Sequence, residues 1–496
     1  MNILRSSGIL MHISSLPTPY GVGTMGQSAR EFIDFLVKAG QSYWQILPIC
    51  PTSYGDSPYQ SFSTYAGNPY FIDLDELEKI GLLKKAEYEN IDWDNVPEQV
   101  NYQALYEKRY PILKMAVERF LQGAQDGFSK FCEENAYWLN DYVLFMTLKD
   151  LNEGSSWMEW PEELRNHNKD FLVKVEEEHE EKLLFWKVIQ FLFFQQWNQL
   201  RKYANEKGIQ IIGDIPFYVA LDSVDAWAHS EFFQLDEDCK PIGVAGCPPD
   251  GFSATGQLWG NPLYRWDYHE KEGYTWWIQR IEYLCNVYNV LRIDHFRGFD
   301  SYYAIPYGDE DAKGGKWEQG PGMKLFRAME EKIGSKRIIA EDLGFMTDTV
   351  KQLLEDSGFP GMKVLEFAFD KREANHVDYL PENYSEHCVA YTGTHDNDTV
   401  QGWFVTANSE DIIYAKEYLN CTEPENYHWD MMKALWASVA ELAIVQAQDI
   451  LGLGSESRMN TPSTLGCNWK WRALPGAFSD ELAEKVAGYM KECKRN

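Results

Sequence analysis

Four acidic side chains in this sequence each follow a short apolar run. They are Asp214, Asp294, Glu341 and Asp396, which come after residues 209–213, 290–293, 337–340 and 389–395. Runs of this length, rich in β-branched and aliphatic residues and bounded by Gly, Pro and polar residues, predict buried strands. Acids at the ends of several such strands are typical of the mouth of a parallel barrel, where barrels of this kind hold their active sites.

Asp294 and Glu341 have the side chains of a nucleophile and a general acid. Arg292 stands two positions before Asp294 on a predicted strand, so both side chains point to one face and the cation keeps the carboxylate ionised. Burial and nearby carboxylates raise the pKa of a glutamate such as Glu341, which can then hold a proton near neutral pH. A purely structural ion pair lining the barrel would also explain the spacing of Arg292 and Asp294. Asp342 is a competing acid, expected on the opposite strand face.

The adjacent pair His395 and Asp396 admits three interpretations. It could be a nucleophile with its base, part of a metal site, or a group that hydrogen-bonds vicinal hydroxyls. The sequence contains no G-x-S-x-G elbow and no H-x-x-x-H spacing, so hydroxyl binding is favoured. Asp214 fits a helix cap or a strand-end hydrogen bond as well as it fits a substrate contact.

Eight strand-like runs separated by amphipathic helices predict the framework that positions these acids. Residues 28–39 carry apolar side chains at helical spacing before Gly40, and residues 347–357 repeat the pattern before Gly358. Alternating strand and helix eight times predicts a (β/α)8 TIM barrel, an α/β fold. The predicted strands are residues 8–13, 42–49, 209–217, 290–296, 337–342, 362–369, 388–394 and 443–450.

We expect one catalytic barrel over residues 1–496 with two insertions. Residues 75–185, between the second and third strands, are charged and mainly helical in composition. Residues 220–288, between the third and fourth strands, are rich in Gly, Pro and Trp and predict loops that shape a groove. Beyond the eighth strand the pattern predicts a helix at residues 479–491 and no C-terminal β-sandwich domain.

The composition restricts the partners. Lys and Arg total 46 against 76 Asp and Glu, a formal charge of −30, which argues against nucleic acid and anionic membrane surfaces and favours a neutral substrate. Nine cysteines without a C-x-x-C pair favour reduced thiols. We find neither a signal-peptide core nor an apolar run of membrane-spanning length, and therefore expect a cytoplasmic protein.

Taken together, the acids predict glycoside chemistry. In retaining enzymes two carboxylates flank the glycosidic bond, one as nucleophile and the other first as acid and then as base. A third acid can hold the hydroxyls of the distorted sugar, and aromatic rings can hold the rest of the chain. Trp276 with Trp277, and Trp469 with Trp471, are candidate platforms, although packing beneath loops explains both pairs as well.

The segments around the four acids resemble the four signature regions of the α-amylase superfamily. The wider match is to the amylomaltases, the 4-α-glucanotransferases, and it extends nearly from end to end of the chain. The supporting segments are residues 6–10, 53–60, 67–70, 248–250, 256–262, 457–462 and 468–472.

The resemblance implies a role for each candidate residue and no obligatory metal or other cofactor. Asp294 would be the nucleophile, Glu341 the acid/base, and Asp396 the stabiliser of the transition state. His395 and Arg292 would assist Asp396. The further glucan contacts that the resemblance implies are Tyr59, Asp214, Asp250, Trp259, Asn460 and Ser57, with Tyr54 in a secondary contact.

We therefore expect transfer of α-1,4-glucan segments from maltooligosaccharides to an acceptor glucan or glucose, by a monomer or weak homo-oligomer. Two Gly- and Pro-rich loops, residues 243–260 and 308–322, are expected to exclude water from the reaction. A hydrolysing α-glucosidase or amylase with the same barrel is the alternative among enzymes. A catalytically inactive glucan-binding protein is the alternative of another class, but it would not need both Asp294 and Glu341.

Overall fold

A computed structural model of the chain describes residues 5–53, 55–94, 96–249 and 253–495. Twelve strands lie within these ranges. In chain order they are β1 (Ser6–Leu10), β2 (Tyr43–Gln45), β3 (Gln210–Ile215), β4 (Gly243–Cys247), β5 (Gln257–Pro262), β6 (Val290–Ile293), β7 (Ser301–Pro306), β8 (Lys316–Gln319), β9 (Ile338–Ala340), β10 (Gly361–Val364), β11 (Cys388–Tyr391) and β12 (Leu442–Gln446).

Eight of these strands form one parallel sheet in the order β10-β11-β12-β1-β2-β3-β6-β9. The two ends of this series meet where the backbone N–H of Ala340 donates to the carbonyl of Pro360 at 3.0 Å. Strand residues such as Ile211, Leu291 and Ile444 are fully buried, as expected for strands covered on both faces. The predicted (β/α)8 barrel is confirmed, and each predicted strand overlaps one strand of this sheet.

All eight strands are shorter than the predicted runs, and two of the runs continue as helices. The run 362–369 leaves the sheet after Val364 and continues as a 3₁₀ helix, and the run 443–450 leaves it after Gln446 and continues as an α-helix. Both continuations remain mostly buried. Hydrophobicity alone does not distinguish a buried strand from a buried helical turn, so the sequence could not predict where the pairing ends.

Helices surround the barrel and fill the long connections. Thr347 caps one of them by accepting from the N–H of Val350, and Gly358 ends it with a φ of +67°. The helices are α1 (Gln27–Lys38), α2 (Leu74–Lys79), α3 (Tyr102–Gln122), α4 (Phe128–Glu134), α5 (Ala136–Leu151), α6 (Glu162–Arg165), α7 (Lys169–Glu178), α8 (Glu180–Glu206), α9 (Val224–Ala228), α10 (Trp266–Lys271), α11 (Thr275–Val287), α12 (Met323–Ile333), α13 (Asp348–Ser357), α14 (Val400–Thr406), α15 (Ser409–Leu419), α16 (Tyr427–Ala437), α17 (Ala447–Ile450) and α18 (Asp480–Glu492).

Helices α2 to α8 lie between β2 and β3, and α8 fastens this region to the segment that follows β2. The buried amide of Gln190 accepts from the N–H of Gly67 at 2.7 Å and donates to its carbonyl at 2.9 Å. Gln196 makes the same paired contact with the backbone of Asp73, at 2.7 and 3.1 Å. These bonds satisfy backbone groups that have no partner in a sheet and fix the chain just beyond Tyr59.

A second sheet, antiparallel and four-stranded, lies beside the barrel in the order β5-β4-β7-β8. The prediction of loops at 243–260 and 308–322 was wrong for the parts that form β4, β5 and β8. Strand β4 pairs with β7 from the next connection, with Val244 opposite Ile305. Because this pairing joins two short segments that are distant in the sequence, and β4 is rich in glycine, no local pattern of the sequence predicts it.

After β12 the described chain forms α17 and α18, and it adds no strand to either sheet. None of the helices in the described ranges is both long enough and apolar enough to cross a membrane.

Candidate active site

The four acids lie at the carboxyl end of the barrel. Asp214 belongs to β3 and stands opposite Arg292 of β6 in the strand register. Asp294 directly follows β6, and Glu341 directly follows β9, the neighbour of β6. Asp396 comes five residues after β11. The parallel register therefore brings residues that are up to 182 positions apart in the sequence to one end of the sheet.

Arg292 links two of the acids at the centre of the site. Its Nη1 donates to Oδ2 of Asp214 at 2.6 Å and to Oδ1 of Asp294 at 3.1 Å. The side chain of Asp214 is fully buried, whereas that of Asp294 is 28% exposed. Burial raises the pKa of both carboxyls, and the guanidinium of Arg292 opposes that rise. Asp294 is thus a partly accessible carboxylate held beside a fixed cation, which suits a nucleophile.

Glu341 occupies a different environment. Its Oε2 accepts from the backbone N–H of His295 at 2.6 Å, and its Oε1 accepts from the N–H of Leu343 at 2.8 Å. Burial and the negative charge of Asp294 raise the pKa of Glu341 to about 7, against the opposing effects of Arg292 and the two N–H groups. A carboxyl in this position can deliver a proton and take it back near neutral pH.

Tyr59 and His395 form the wall next to Arg292. The hydroxyl of Tyr59 donates to Oδ2 of Asp214 at 2.8 Å, and its ring stacks on His395 with centroids 5.0 Å apart at 16°. Burial lowers the pKa of His395, and the charge of Arg292 also lowers it while Asp396 raises it. The imidazole is therefore neutral near pH 7 and can both donate and accept a hydrogen bond.

Asp396 is the most accessible of the four acids, with 47% of its side chain exposed. Nδ2 of Asn460 donates to its Oδ1 at 2.6 Å, and Nε2 of His395 lies 3.3 Å from the same atom. The guanidinium of Arg458 donates to the backbone carbonyl of Asp396. These contacts fix an exposed carboxylate in an orientation from which it can accept bonds from sugar hydroxyls.

The remaining predicted contacts are less uniform. Trp259 lies in β5, and its ring meets that of His295 edge to face at 5.0 Å. Ser57 faces its own turn, because its Oγ accepts from the N–H of Tyr59 at 3.2 Å. Tyr54 and Asp250 lie outside the described residues, so both stay predictions.

One residue of the site was missed from the sequence. His295 has a left-handed φ of 52° and supplies the N–H that binds Glu341. Only its place directly after Asp294 could have suggested it. Trp469 lies beside Tyr59 and His395, with ring centroids 5.9 and 5.8 Å away, so this member of a predicted pair belongs to the site.

The other three tryptophans of the predicted pairs lie away from the acids. Like Trp469, these three side chains are buried. Trp277 stacks in the core against Trp266 and carries the guanidinium of Arg280 on its face. Within the described part of the chain, no group of three or more His, Cys, Asp or Glu side chains could hold a metal ion.

Comparison with known proteins adds a family to this geometry. A family model described as 4-alpha-glucanotransferase matches residues 11–476. The chain belongs to the 4-alpha-glucanotransferase family. Glucan transfer is therefore its activity, and the comparisons do not favour the hydrolysing alternative.

Relatives of this glucanotransferase match over nearly their whole length. It is 50% identical to the 4-alpha-glucanotransferase of Clostridium butyricum, covering 96% of this chain and 98% of that one. The Thermus thermophilus enzyme is 45% identical with full coverage of both chains. Among solved structures, amylomaltase from Streptococcus agalactiae in complex with acarbose superposes with a TM-score of 0.96 at 41% identity, covering 99% of this chain and 100% of that one.

Proposed function

We propose that this enzyme moves α-1,4-glucan segments from a donor chain to the 4-hydroxyl of an acceptor glucan or glucose by double displacement, with Asp294 and Glu341 as the reacting pair. One observation carries the proposal. Two carboxyls at the ends of adjacent strands are held differently. Arg292 donates a hydrogen bond to Asp294 and opposes the rise in its pKa, whereas Glu341 accepts only from backbone N–H groups among the described residues and has a pKa raised to about 7. A retaining glycosidase needs this division between an ionised nucleophile and a protonated acid.

In the first displacement a carboxylate oxygen of Asp294 forms a bond to the anomeric carbon of the donor. The bond from that carbon to the glycosidic oxygen breaks, and the proton of Glu341 passes to the departing oxygen. The product is a β-linked glucosyl-enzyme together with the released end of the donor. The N–H groups of His295 and Leu343 then stabilise the carboxylate left on Glu341.

In the second displacement the acceptor hydroxyl attacks the same carbon from the face that the first product left. Glu341 removes the hydroxyl proton, the bond to Asp294 breaks, and the new α-linkage forms. Asp396 and His395 are assigned to hydroxyls of the reacting sugar, where charge-assisted bonds strengthen as positive charge develops on the ring. Tyr59, Trp259 and Trp469 supply the aromatic surfaces for the chain on either side.

Maltooligosaccharides and glucose are the substrates that this chemistry fits, because the site combines carboxylates with aromatic rings. We further assign the enzyme to the cytoplasm, as a monomer or weak homo-oligomer. Nine free cysteines support a reducing compartment.

The assignment of roles is tested by replacing each carboxylate and offering azide in its place, with α-maltosyl fluoride as donor. Asp294→Gly and Glu341→Ala should each lower transfer by at least about a thousandfold. Azide should then rescue both variants but give opposite anomers. In Asp294→Gly it fills the position of the nucleophile and yields the β-azide, whereas in Glu341→Ala it displaces Asp294 and yields the α-azide.

Asp342→Asn is the matched control. Asp342 is adjacent to Glu341, but its Oδ1 accepts from the N–H of Met362 at 2.6 Å, a bond that asparagine can keep. This variant should retain activity and form no azide product. Rescue of the two catalytic variants with exchanged anomers, or turnover by Asp294→Gly without azide, would reject the assignment.

A further inference from the structure

A second cavity lies outside the active site, between helices α5 and α11 and the segments that follow β2 and β3. Its volume is about 250 Å³. This is slightly below the range of about 300–1,000 Å³ that holds drug-sized ligands, so the space suits one or two sugar rings. None of the residues assigned to the double displacement lines it.

Aromatic rings form much of its wall. Tyr65 stacks on Trp138 with centroids 6.3 Å apart at 11°, and Tyr137 meets the edge of Tyr65 at 5.8 Å. On the side of the cavity formed by α11, the ring centroids of Phe232 and Trp276 lie 6.2 Å apart. Tyr137 is 44% exposed, so the wall is accessible from solvent. Tyr65, Trp138 and Trp276 are buried and form the floor, so the ring of Tyr137 is the face on which the C–H surface of a sugar can stack.

Polar groups without partners lie among these rings. The side chains of Asp141 and Gln279, and the hydroxyl of Tyr137, make no hydrogen bond within the described residues. Nε1 of Trp276 is buried without a hydrogen-bond partner, and the Trp276 side chain is only 4% exposed. Solvent does not reach Nε1 of Trp276, so the groups available to the hydroxyls of a ligand are those of Asp141, Gln279 and Tyr137.

The charge of the lining selects the kind of ligand. Asp141, Asp225 and Glu272 line the cavity, and no lysine or arginine of the described chain does so. Anionic ligands are therefore disfavoured. Both oxygens of Asp225 are already bonded to Thr64, at 2.8 and 2.9 Å, which leaves Asp141 and Glu272 as acceptors for hydroxyl groups.

One short segment contributes to both this cavity and the active-site wall. Ser63 lines this cavity and also a smaller one bounded by Tyr59 and Asp214. Tyr59 at the active site and Tyr65 at the cavity thus belong to one segment, which follows β2. We propose that this cavity binds one or two glucosyl units of a long α-glucan, and so favours long chains over short ones. The proposal rests on the proposed function, which makes a glucan the substrate.

The test measures binding without turnover, in the full chain carrying Asp294→Asn, by calorimetric titration with maltotetraose. We expect two binding events, one in the active site and one in the cavity. Adding Tyr137→Ala and Asp141→Asn should weaken the second event by about tenfold and leave the first in place. Tyr106→Ala, which removes a 65% exposed tyrosine of α3 that does not line the cavity, is the matched control and should preserve both events.

A kinetic comparison provides a second readout in the otherwise native enzyme. Tyr137→Ala with Asp141→Asn should raise the KM for amylose several-fold relative to the KM for maltotriose, because only the long chain reaches both places. A rise in KM together with an unchanged kcat for amylose would separate chain binding from damage to the catalytic groups.

Three results would overturn the proposal. These are a single binding event in the Asp294→Asn chain, a second event that persists in the double cavity variant, and binding of tetramethylammonium in place of maltotetraose, which would make the cavity a cation site. Failure of the proposed function would instead appear as turnover by Asp294→Gly, an observation independent of these titrations.

Discussion

At the scale of single residues, the site separates two carboxyls by what each touches. Asp294 shares Nη1 of Arg292 with Asp214, whereas Glu341 is bound only by backbone N–H groups and lies near the charge of Asp294. Removing the proton from Glu341 adds a negative charge to a site that already holds Asp294. Burial first, and then this Coulomb repulsion, raise its pKa to about 7, a value at which a carboxyl can act as an acid near neutral pH.

The first displacement should therefore have a basic limb set by Glu341. Glu341 must be protonated to release a sugar, so kcat/KM for maltotriose should fall as pH rises through about 7. Fluoride needs no proton to depart, so the rate of fluoride release from α-maltosyl fluoride should lack this limb. Stopped-flow release measured across the pH range checks the difference, and an identical limb with both donors would contradict the assignment.

At the scale of elements, the conformation of the loop after β11 depends on buried carboxyl groups that it packs against. Asp449 accepts from the N–H of Val400 and from Oγ1 of Thr392, each at 2.7 Å, and these two residues flank the segment that carries His395 and Asp396. Nearby, burial together with Asp449 and Asp398 raises the pKa of Glu366 well above its usual value. Asp449 thus holds the loop by accepting hydrogen bonds, whereas the carboxyl of Glu366 is neutral.

Replacing these two acids by their amides should therefore have unequal effects. Asp449→Asn loses one of its two acceptors and leaves a buried donor unpaired, which costs about 1–3 kcal/mol of stability. Displacement of Asp396 should also lower kcat by about tenfold. Glu366→Gln resembles the neutral acid already present and should change little. Thermal unfolding and transfer assays on both variants check this, and equal losses would show that Glu366 is ionised.

At the scale of the whole molecule, net charge and buried titratable groups act on stability together. The chain carries a formal charge of −30. Glu366 and Glu341 have raised pKa values in the folded state, so they stabilise it fully below the ordinary glutamate pKa of 4.5. This contribution is lost as pH rises through the folded values, about 7 for Glu341. Burial lowers the pKa of His12 to about 3 and that of His428 to about 4, so their contribution is lost as pH falls below about 6.5.

The two groups of residues together predict a stability maximum near pH 6.5. At constant ionic strength, the Tm should fall by about one degree between that pH and pH 7.5, because over this range the folded state still binds a proton on Glu341 that the unfolded chain has lost. Glu366→Gln removes one of the protonated groups and should make the fall shallower. Calorimetry at several pH values measures both curves. A Tm that keeps rising above pH 7 would contradict the reversal of sign.

The sequence by itself determined the parallel barrel and placed the candidate acids at the ends of its strands. Each barrel strand is a local apolar run, and Asp294 and Glu341 directly follow two of them, so their meeting follows from the regularity of a parallel sheet. The pairing of Arg292 with Asp294 was also predictable locally, because residues that are two positions apart on a strand point to the same face.

Only the tertiary structure decided the rest. The second sheet joins β4 to β7 across separate connections, Asn460 reaches Asp396 from beyond β12, and the aromatic cavity draws on α5, α11 and two loops. Contacts of this kind depend on the distances between segments after folding. Short-range periodicity does not depend on those distances. It does depend on the burial of a strand, which makes every second residue apolar when one face is buried and every residue apolar when both faces are buried.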